Sequence, residues 1–99
     1  MRVDRQDQQD EFSDEQLVFS AQNDKAAIGE LIARYICTVE FLAKKYGSEV
    51  REDLVQEGLM GLLSAVRTYR GDKNVKFSTY ATKCIKNKII SSVHKNALI

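Results

Sequence analysis

Several residue types are scarce or missing in this sequence. It contains no proline and no tryptophan, one histidine, two cysteines and five glycines among 99 residues. Without proline nothing forces a break in a helix, and the abundance of Ala, Leu, Glu, Lys and Gln favours helix over strand. We therefore expect an all-α protein.

The few cysteines and the single histidine argue against metal and redox chemistry. Cys37 and Cys84 are far apart and belong to no CxxC pair, so both are predicted to be small, buried, apolar side chains in a reducing environment. His94 has no second histidine with which to share a metal ion. We expect no metal and no cofactor.

Two further absences concern membranes and phosphate-binding loops. No apolar run approaches the roughly 18 residues of a membrane span, and no signal peptide opens the sequence, so a cytoplasmic protein without membrane contact is expected. Gly58 and Gly61 lie inside a helical pattern rather than in a loop between a strand and a helix. Asp53 and Glu57 have the spacing of an acid–base pair, but no pocket is predicted around them. These observations favour a protein that is not an enzyme.

The net charge of +1 hides an asymmetry between the two halves of the chain. Residues 1–52 contain 7 Lys+Arg and 11 Asp+Glu, a net charge of −4, whereas residues 53–99 contain 8 and 3, a net charge of +5. This separation suggests an anionic partner for the second half, although charges also segregate on ordinary solvated surfaces.

The beginning of the chain differs from the rest in its lack of periodicity. Residues 1–12 are polar and aperiodic and are predicted to be a disordered lead-in, while residues 13–99 are predicted to form one helical domain. Ser13 and Gln16 have the spacing of a capping box. They indicate the start of a short first helix that ends near Asn23.

Three longer helices are predicted from apolar stripes at helical period. Asp24 is the expected cap of the second helix, and Gly47 is expected to end it. Ser48 is the expected cap of the third helix. A polar connection at residues 70–76 separates the third helix from a fourth that begins at about Ser78.

The third helix contains two glycines, Gly58 and Gly61, each of which costs about 1 kcal/mol relative to alanine. Such glycines permit close approach of another helix, and packing within the domain is favoured over an external partner. A polar face that includes a methionine runs along the same helix, as in protein-docking patches. It consists of Asp53, Gln56, Glu57 and Met60.

The fourth helix and its approach are strongly basic. From Arg67 to Ile99 the chain has eight basic residues and one acidic residue. Lysines alternate here with aromatic and hydroxyl side chains, which together bind single-stranded nucleic acid by neutralising phosphates and stacking bases. The alternative is a helix whose aromatic side chains lie in the core and whose lysines are only solvated. Phe77 is assigned to the core, whereas Tyr80 is compatible with either interpretation.

Two motifs in this region carry a family resemblance. DLVQEGLMGLL begins at Asp53 and KFSTYA begins at Lys76, at the spacing found in region 2 of bacterial sigma-70-family factors. The stretch 53–90 closely resembles that region, and the stretch 14–47 is similar to the family's leading helices but less diagnostic. The resemblance implies a compact bundle of three main helices and a short N-terminal helix, acting in transcription initiation.

The resemblance implies that the DLVQEG helix docks on the coiled-coil clamp helices of the RNA polymerase β′ subunit. An anti-sigma factor is a further partner that the resemblance allows. The residues carried over to the polymerase interface are Asp53, Gln56, Glu57, Leu59, Met60 and Leu63.

The resemblance also implies that the KFSTYA segment and its helix recognise and melt the promoter minus-ten element, binding unpaired bases of the non-template strand. Tyr80 would stack a flipped base, with Tyr69, Lys73 and Thr79 near its pocket. Phosphates would be held by Lys76, Lys83 and Lys86. The still-paired upstream edge would face Asn87, Ile90, Ser91 and His94.

This sequence departs from primary sigma factors at the position of their melting wedge. Primary factors have two tryptophans directly after STYAT, where this chain has Lys83 and Cys84. Ile90 stands at the position of a polar base reader and cannot donate a hydrogen bond. These differences imply an alternative sigma factor of the sporulation or stationary-phase kind, and we expect the chain to be one domain of a longer factor.

Two other functions remain open from the residues themselves. A helical protein-interaction module, such as a regulator that mimics a sigma factor without binding DNA, fits the patch around Met60 but not the basic fourth helix. A helix-turn-helix protein that binds duplex DNA normally has a turn of three to four residues, which is shorter than the predicted connection at 70–76.

Overall fold

Four helices make up the fold in the part of the chain that the structure describes. The computed structural model describes residues 12–47, 51–71 and 74–97. The helices are α1 (Asp14–Ala21), α2 (Lys25–Tyr46), α3 (Arg51–Thr68) and α4 (Phe77–Ala97), and the described ranges contain no strand. The predicted all-α class, with three main helices and a short leader, is confirmed. The predicted disordered lead-in, residues 1–12, lies outside the described residues except for Phe12.

No helix within these ranges is both long enough and apolar enough to cross a membrane.

The predicted helix ends that fall on described residues are correct to within two residues. Ser13 and Gln16 form the expected capping box, in which each side chain accepts a hydrogen bond from the other residue's backbone N–H. Asp24 caps α2 by accepting a hydrogen bond from the Ala26 N–H at 3.0 Å. Gly47 follows the last residue of α2 as predicted.

Three boundaries differ by one or two residues from the prediction, among them the end of α3 at Thr68, one residue earlier than expected, and one boundary lies outside the described residues. α1 ends at Ala21 rather than near Asn23. The Asn23 N–H donates a hydrogen bond to the Ser20 carbonyl in a turn, and the backbone is extended at Asp24. α4 begins at Phe77, one residue earlier than predicted. Ser48, the predicted cap of α3, is not among the described residues.

The core is built from the apolar stripes of all four helices. Among the described residues no polar or charged side chain is buried. The largest fully buried side chains are Phe77, Leu31, Leu54, Leu62, Ile85, Ile89 and Val39. The helices are therefore held together mainly by removal of apolar surface from water.

α3 and α4 pack against each other more extensively than any other pair of helices, and two glycines allow it. A Cβ atom on Gly61 would lie 2.9 Å from the backbone oxygen of Cys84 and 3.1 Å from the Cα of Ile85. A Cβ atom on Gly58 would lie 3.2 Å from a methyl group of Ile89 on α4 and 2.8 Å from a methyl group of Val39 on α2. The explanation by packing inside the domain is therefore correct.

Consecutive acidic residues tie α1 to two different helices. Asp14 accepts hydrogen bonds from the Tyr35 hydroxyl and, at 2.9 Å, from the Arg34 guanidinium of α2. Burial of the ring, followed by this bond to Asp14, raises the pKa of Tyr35 above its ordinary value. Glu15 accepts a hydrogen bond from the Phe77 N–H at 2.7 Å and so caps the start of α4.

The prediction that both cysteines are buried is wrong. Cys37 is exposed and Cys84 is half-buried, and neither forms a disulfide bond. The core-facing stripe of α2 passes through Tyr35 and Val39. Cys37 lies midway between them, about 200° around the helix from each, and therefore points to solvent.

Candidate functional site

The six residues carried over to the polymerase interface lie along α3 and form what we call the α3 face. Asp53, Gln56 and Met60 are exposed, and 54% of the Met60 surface is accessible. Glu57, Leu59 and Leu63 are half-buried. The arrangement combines carboxylate and amide groups with an accessible thioether, which suits contact with another protein.

One residue of the α3 face also contacts α4. The Glu57 carboxylate lies 3.8 Å from the Lys88 ammonium, and both side chains are more than a third exposed. A pair in this setting contributes little to stability. Its importance is positional, because it links the α3 face to the helix that carries the basic residues.

A groove between α2 and α3 adjoins the α3 face and was not anticipated. It has a volume of about 850 Å³ and includes Gln56 and Val55 on its α3 side. On its α2 side lies Phe41, whose surface is 64% exposed. The signal that could have revealed it is the position of Phe41 off the apolar stripe of α2, next to the buried Leu42.

An aromatic cluster lies where α3, α4 and their connection meet. The fully buried ring of Phe77 makes edge contacts with Tyr69 and Tyr35, at centroid distances of 5.2 Å and 5.7 Å. Tyr69 in turn packs against Tyr80, with ring centroids 5.7 Å apart. Phe77 is therefore in the core as predicted, and the half-buried Tyr80 lies at the outer edge of the cluster.

Hydrogen bonds fix the two tyrosines that the resemblance places around a flipped base. The Tyr80 hydroxyl lies 2.7 Å from the Thr68 hydroxyl, and the Tyr69 hydroxyl donates to the Val75 carbonyl at 2.5 Å. Partial desolvation, and then the nearby Glu15 carboxylate, raise the pKa of Tyr69 above its ordinary value. Neither Thr68 nor Glu15 was selected from the sequence, since both contacts depend on tertiary structure.

The other residues carried over to DNA binding form what we call the basic face, on α4 and just before it. Lys76, Thr79, Lys83, Lys86, Asn87, Ser91 and His94 are exposed, and Ile90 is half-buried. Most of the basic-face residues on α4 recur three, four or seven positions apart and therefore share one side of the helix. Lys73 lies outside the described residues. Asn74, in the same connection, has a positive φ of 60°, which asparagine tolerates better than most residues.

A second groove runs between α3 and α4 and joins the two faces; we call it the α3–α4 groove. It has a volume of about 540 Å³. Met60 of the α3 face and Asn87 and Ser91 of the basic face all line it. The remaining lining residues are Gly61, Ser64, Arg67, Cys84 and Lys88.

Comparison with known proteins gives a consistent result. The family description Sigma-70 region 2 matches residues 31–98. The RNA polymerase sigma-H factor of Bacillus licheniformis is 36% identical over 87 residues, which is 84% of this chain and 39% of that protein. The sigma-E factor of Clostridium acetobutylicum is 36% identical over 72 residues, 70% of this chain and 30% of that protein.

A third relative is also named as an RNA polymerase sigma factor. The RNA polymerase sigma factor RpoD of Neisseria gonorrhoeae is 37% identical over 83 residues, covering 82% of this chain and 13% of that protein. The chain thus spans 39% or less of the length of each of these three relatives. Because the family description covers more than half of the chain, the protein belongs to the sigma-70 family of RNA polymerase sigma factors and contains its region 2.

Proposed function

We propose that residues 13–99 form a non-enzymatic domain that binds the polymerase β′ clamp helices with the α3 face and the promoter minus-ten element with the basic face. The observation that carries the proposal is the placement of the two faces on adjacent helices that Gly61 holds in close contact. Family membership supports the general role in transcription initiation. We expect the domain to act in the cytoplasm, because that is where its proposed partner acts.

The proposed contact with polymerase rests on the chemistry of the α3 face. Met60 offers a flexible apolar side chain, while Gln56 and Asp53 offer polar groups around it. The exposed Phe41 lies in the groove beside Gln56 and would extend the contact onto α2. An anti-sigma factor would block the domain by covering the same surface.

The proposed contact with DNA rests on the lysines and on Tyr80. Lys76, Lys83 and Lys86 are exposed and available to phosphates, whereas Tyr80 is held in place by Tyr69 and Thr68. A ring fixed in this way loses little freedom when a base stacks on it, which favours binding. The alternative assignment of all aromatic side chains to the core fits Phe77 but not the half-buried Tyr80.

We further propose that the protein acts as an alternative sigma factor. The support is local: Lys83 and Cys84 stand where primary factors have their tryptophan wedge. The names of the relatives do not discriminate between a primary and an alternative factor, since sigma-H, sigma-E and RpoD match this chain at nearly equal identity.

The rival function is a protein-interaction module that does not bind DNA, and the exposed Met60 and Phe41 favour it. Binding of a non-template minus-ten oligonucleotide separates the two functions. We expect wild-type binding to weaken steeply with salt, and Tyr80→Ala to lower affinity by about tenfold at unchanged salt slope, since stacking is worth about 1–3 kcal/mol per base. Phe19→Ala removes an exposed aromatic side chain of α1 that is not part of the basic face, and it serves as the matched control.

The clamp contact is tested in parallel by pull-down with the β′ clamp fragment. Gln56→Ala is expected to reduce capture, whereas Gln22→Ala, which removes the same amide at the end of α1, leaves it unchanged. Clamp capture without any DNA binding would favour the interaction module. Absence of both would contradict the whole proposal.

A further inference from the structure

The α3–α4 groove contains polar groups that the proposed function does not yet use. Along α3 it is lined by Met60, Ser64 and Arg67, which recur at intervals of four and three and so share one side of the helix. Its middle is shallow and close to the α4 backbone because Gly61 has no side chain. Cys84 lines the opposite side with a small group that leaves the groove open.

The charge of the groove favours an anion. Arg67 is exposed, and no carboxylate in the described part of the chain forms an ion pair with it. Lys88 adds a second positive charge, which Glu57 offsets from 3.8 Å away. Hydroxyl groups of Ser64 and Ser91 and the Asn87 amide supply hydrogen-bond donors. A guanidinium among such donors matches the oxygens of a phosphodiester.

The position of the groove relative to the lysines points to duplex rather than single-stranded DNA. Lys83 and Lys86 lie on one side of the exposed surface of α4, and the groove with Arg67 lies on the other side, beyond Asn87. A single strand presents one row of phosphates. A duplex presents two, and an α-helix of about 10–12 Å diameter fits between them in a major groove about 12 Å wide.

We propose that Arg67, with Ser64 and Asn87 beside it, binds a backbone phosphate of the second strand where the promoter is still paired. This inference rests on the proposed DNA binding by the basic face, and it adds α3 to the DNA interface. α3 would then contact polymerase at its Met60 end and DNA at its Arg67 end.

The test compares two DNAs that differ only in the second strand: the non-template oligonucleotide alone, and the same oligonucleotide paired over its upstream part. Binding of the 99-residue chain is measured by fluorescence anisotropy across a salt series. On the partly paired DNA, Arg67→Ala is expected to reduce the slope of log affinity against log salt by about 0.9, the value for one B-DNA phosphate contact. Arg67→Lys retains the charge and is expected to keep the slope.

Lys25→Ala is the matched control, because it removes one positive charge from the exposed first turn of α2, outside both grooves. Equal slopes for Arg67→Ala and Lys25→Ala on the partly paired DNA would overturn the inference. An equal reduction of the slope by Arg67→Ala on the single strand would overturn it as well. A loss of clamp capture without a change in DNA binding would overturn it in favour of a polymerase contact. If the wild type binds neither DNA, the proposed DNA binding fails together with this inference. If Tyr80→Ala weakens DNA binding but Arg67→Ala does not change the salt slope, only this inference is refuted.

Discussion

Gly61 shows how one missing side chain determines the relation between two helices. The atoms that surround it belong to the α4 backbone and to the base of Lys88, so they cannot move aside independently of the helix. Gly29 on α2 is the opposite case, since a Cβ atom there would meet nothing within 4 Å. The two glycines therefore differ in whether alanine is tolerated.

Gly61→Ala is expected to lower the free energy of unfolding by about 1–2 kcal/mol. Overpacking against a backbone costs about 1–3 kcal/mol, which outweighs a gain of up to about 1 kcal/mol in helix propensity. Gly29→Ala gains the propensity without the clash and is expected to stabilise the domain by about 0.5–1 kcal/mol. Urea unfolding followed by circular dichroism measures both, and stabilisation by both variants would contradict the described packing of α3 on α4.

Residue roles that follow from helical period were predictable, and those that depend on tertiary contacts were not. Phe77 and the two packing glycines were assigned correctly because their neighbours in sequence form regular apolar stripes. Cys37 was misassigned because cysteine was judged by its residue type rather than by its angle on α2. The contact of Glu15 was not predictable, because it accepts a hydrogen bond from a residue 62 positions away.

At the scale of elements, α1 acts as a bridge. Asp14 and Glu15 are adjacent, yet one binds α2 and the other caps α4. The cap satisfies one of the unpaired N–H groups at the start of α4 and places a negative charge at the positive end of its dipole. The start of α4, including Tyr80, is thus positioned in part by the N-terminal helix.

Glu15→Ala is expected to cost about 1–2 kcal/mol of stability, as loss of an N-terminal cap typically does. Hydrogen exchange at the Phe77 amide should accelerate, while Glu15→Gln, which keeps an acceptor oxygen, should restore most of the protection. Gln16→Ala is the control, because it breaks the capping box of α1 without touching α4. Equal acceleration in Glu15→Ala and Gln16→Ala would mean that fraying of α1, not the cap, protects this amide.

The helices themselves were largely predictable from caps and periodicity. Ser13, Asp24 and Gly47 all stand at helix ends as expected, because each satisfies backbone groups through local interactions. The way in which α1 meets α4, and the α2–α3 groove with Phe41, were not predictable. Both depend on the angles at which helices cross, and a single stripe pattern allows several such angles.

At the scale of the whole molecule, the α3 face and the basic face lie on different helices and meet at the α3–α4 groove, which neither Gln56 nor Lys83 lines. The Glu57–Lys88 ion pair joins the two helices beside this groove. Mutations of residues outside the groove and the ion pair should therefore act independently. The charge asymmetry along the sequence is the first sign of this division into two surfaces.

Gln56→Ala and Lys83→Ala, combined in one chain, are expected to have additive effects on polymerase-dependent promoter binding, within about 0.5 kcal/mol. Glu57→Ala combined with Lys88→Ala should instead show coupling, because each removes the partner of the other. Binding to promoter DNA in the presence of core polymerase, measured for both double-mutant cycles, checks this. Strong coupling between Gln56 and Lys83 would mean that the two faces do not act separately.

The bond between Glu15 and Phe77 also has a consequence for the order of folding. It joins residues 62 positions apart, whereas α3 and α4 meet across the short connection 69–76. The entropic cost of closing a loop grows with its length, so the α3–α4 hairpin should form early and α1 should reach α4 late. On unfolding, α1 should detach first. A chain whose α1 had detached would still present the α3 face for the proposed polymerase contact after the start of α4 had lost its cap, so that contact should outlast the proposed contact with promoter DNA.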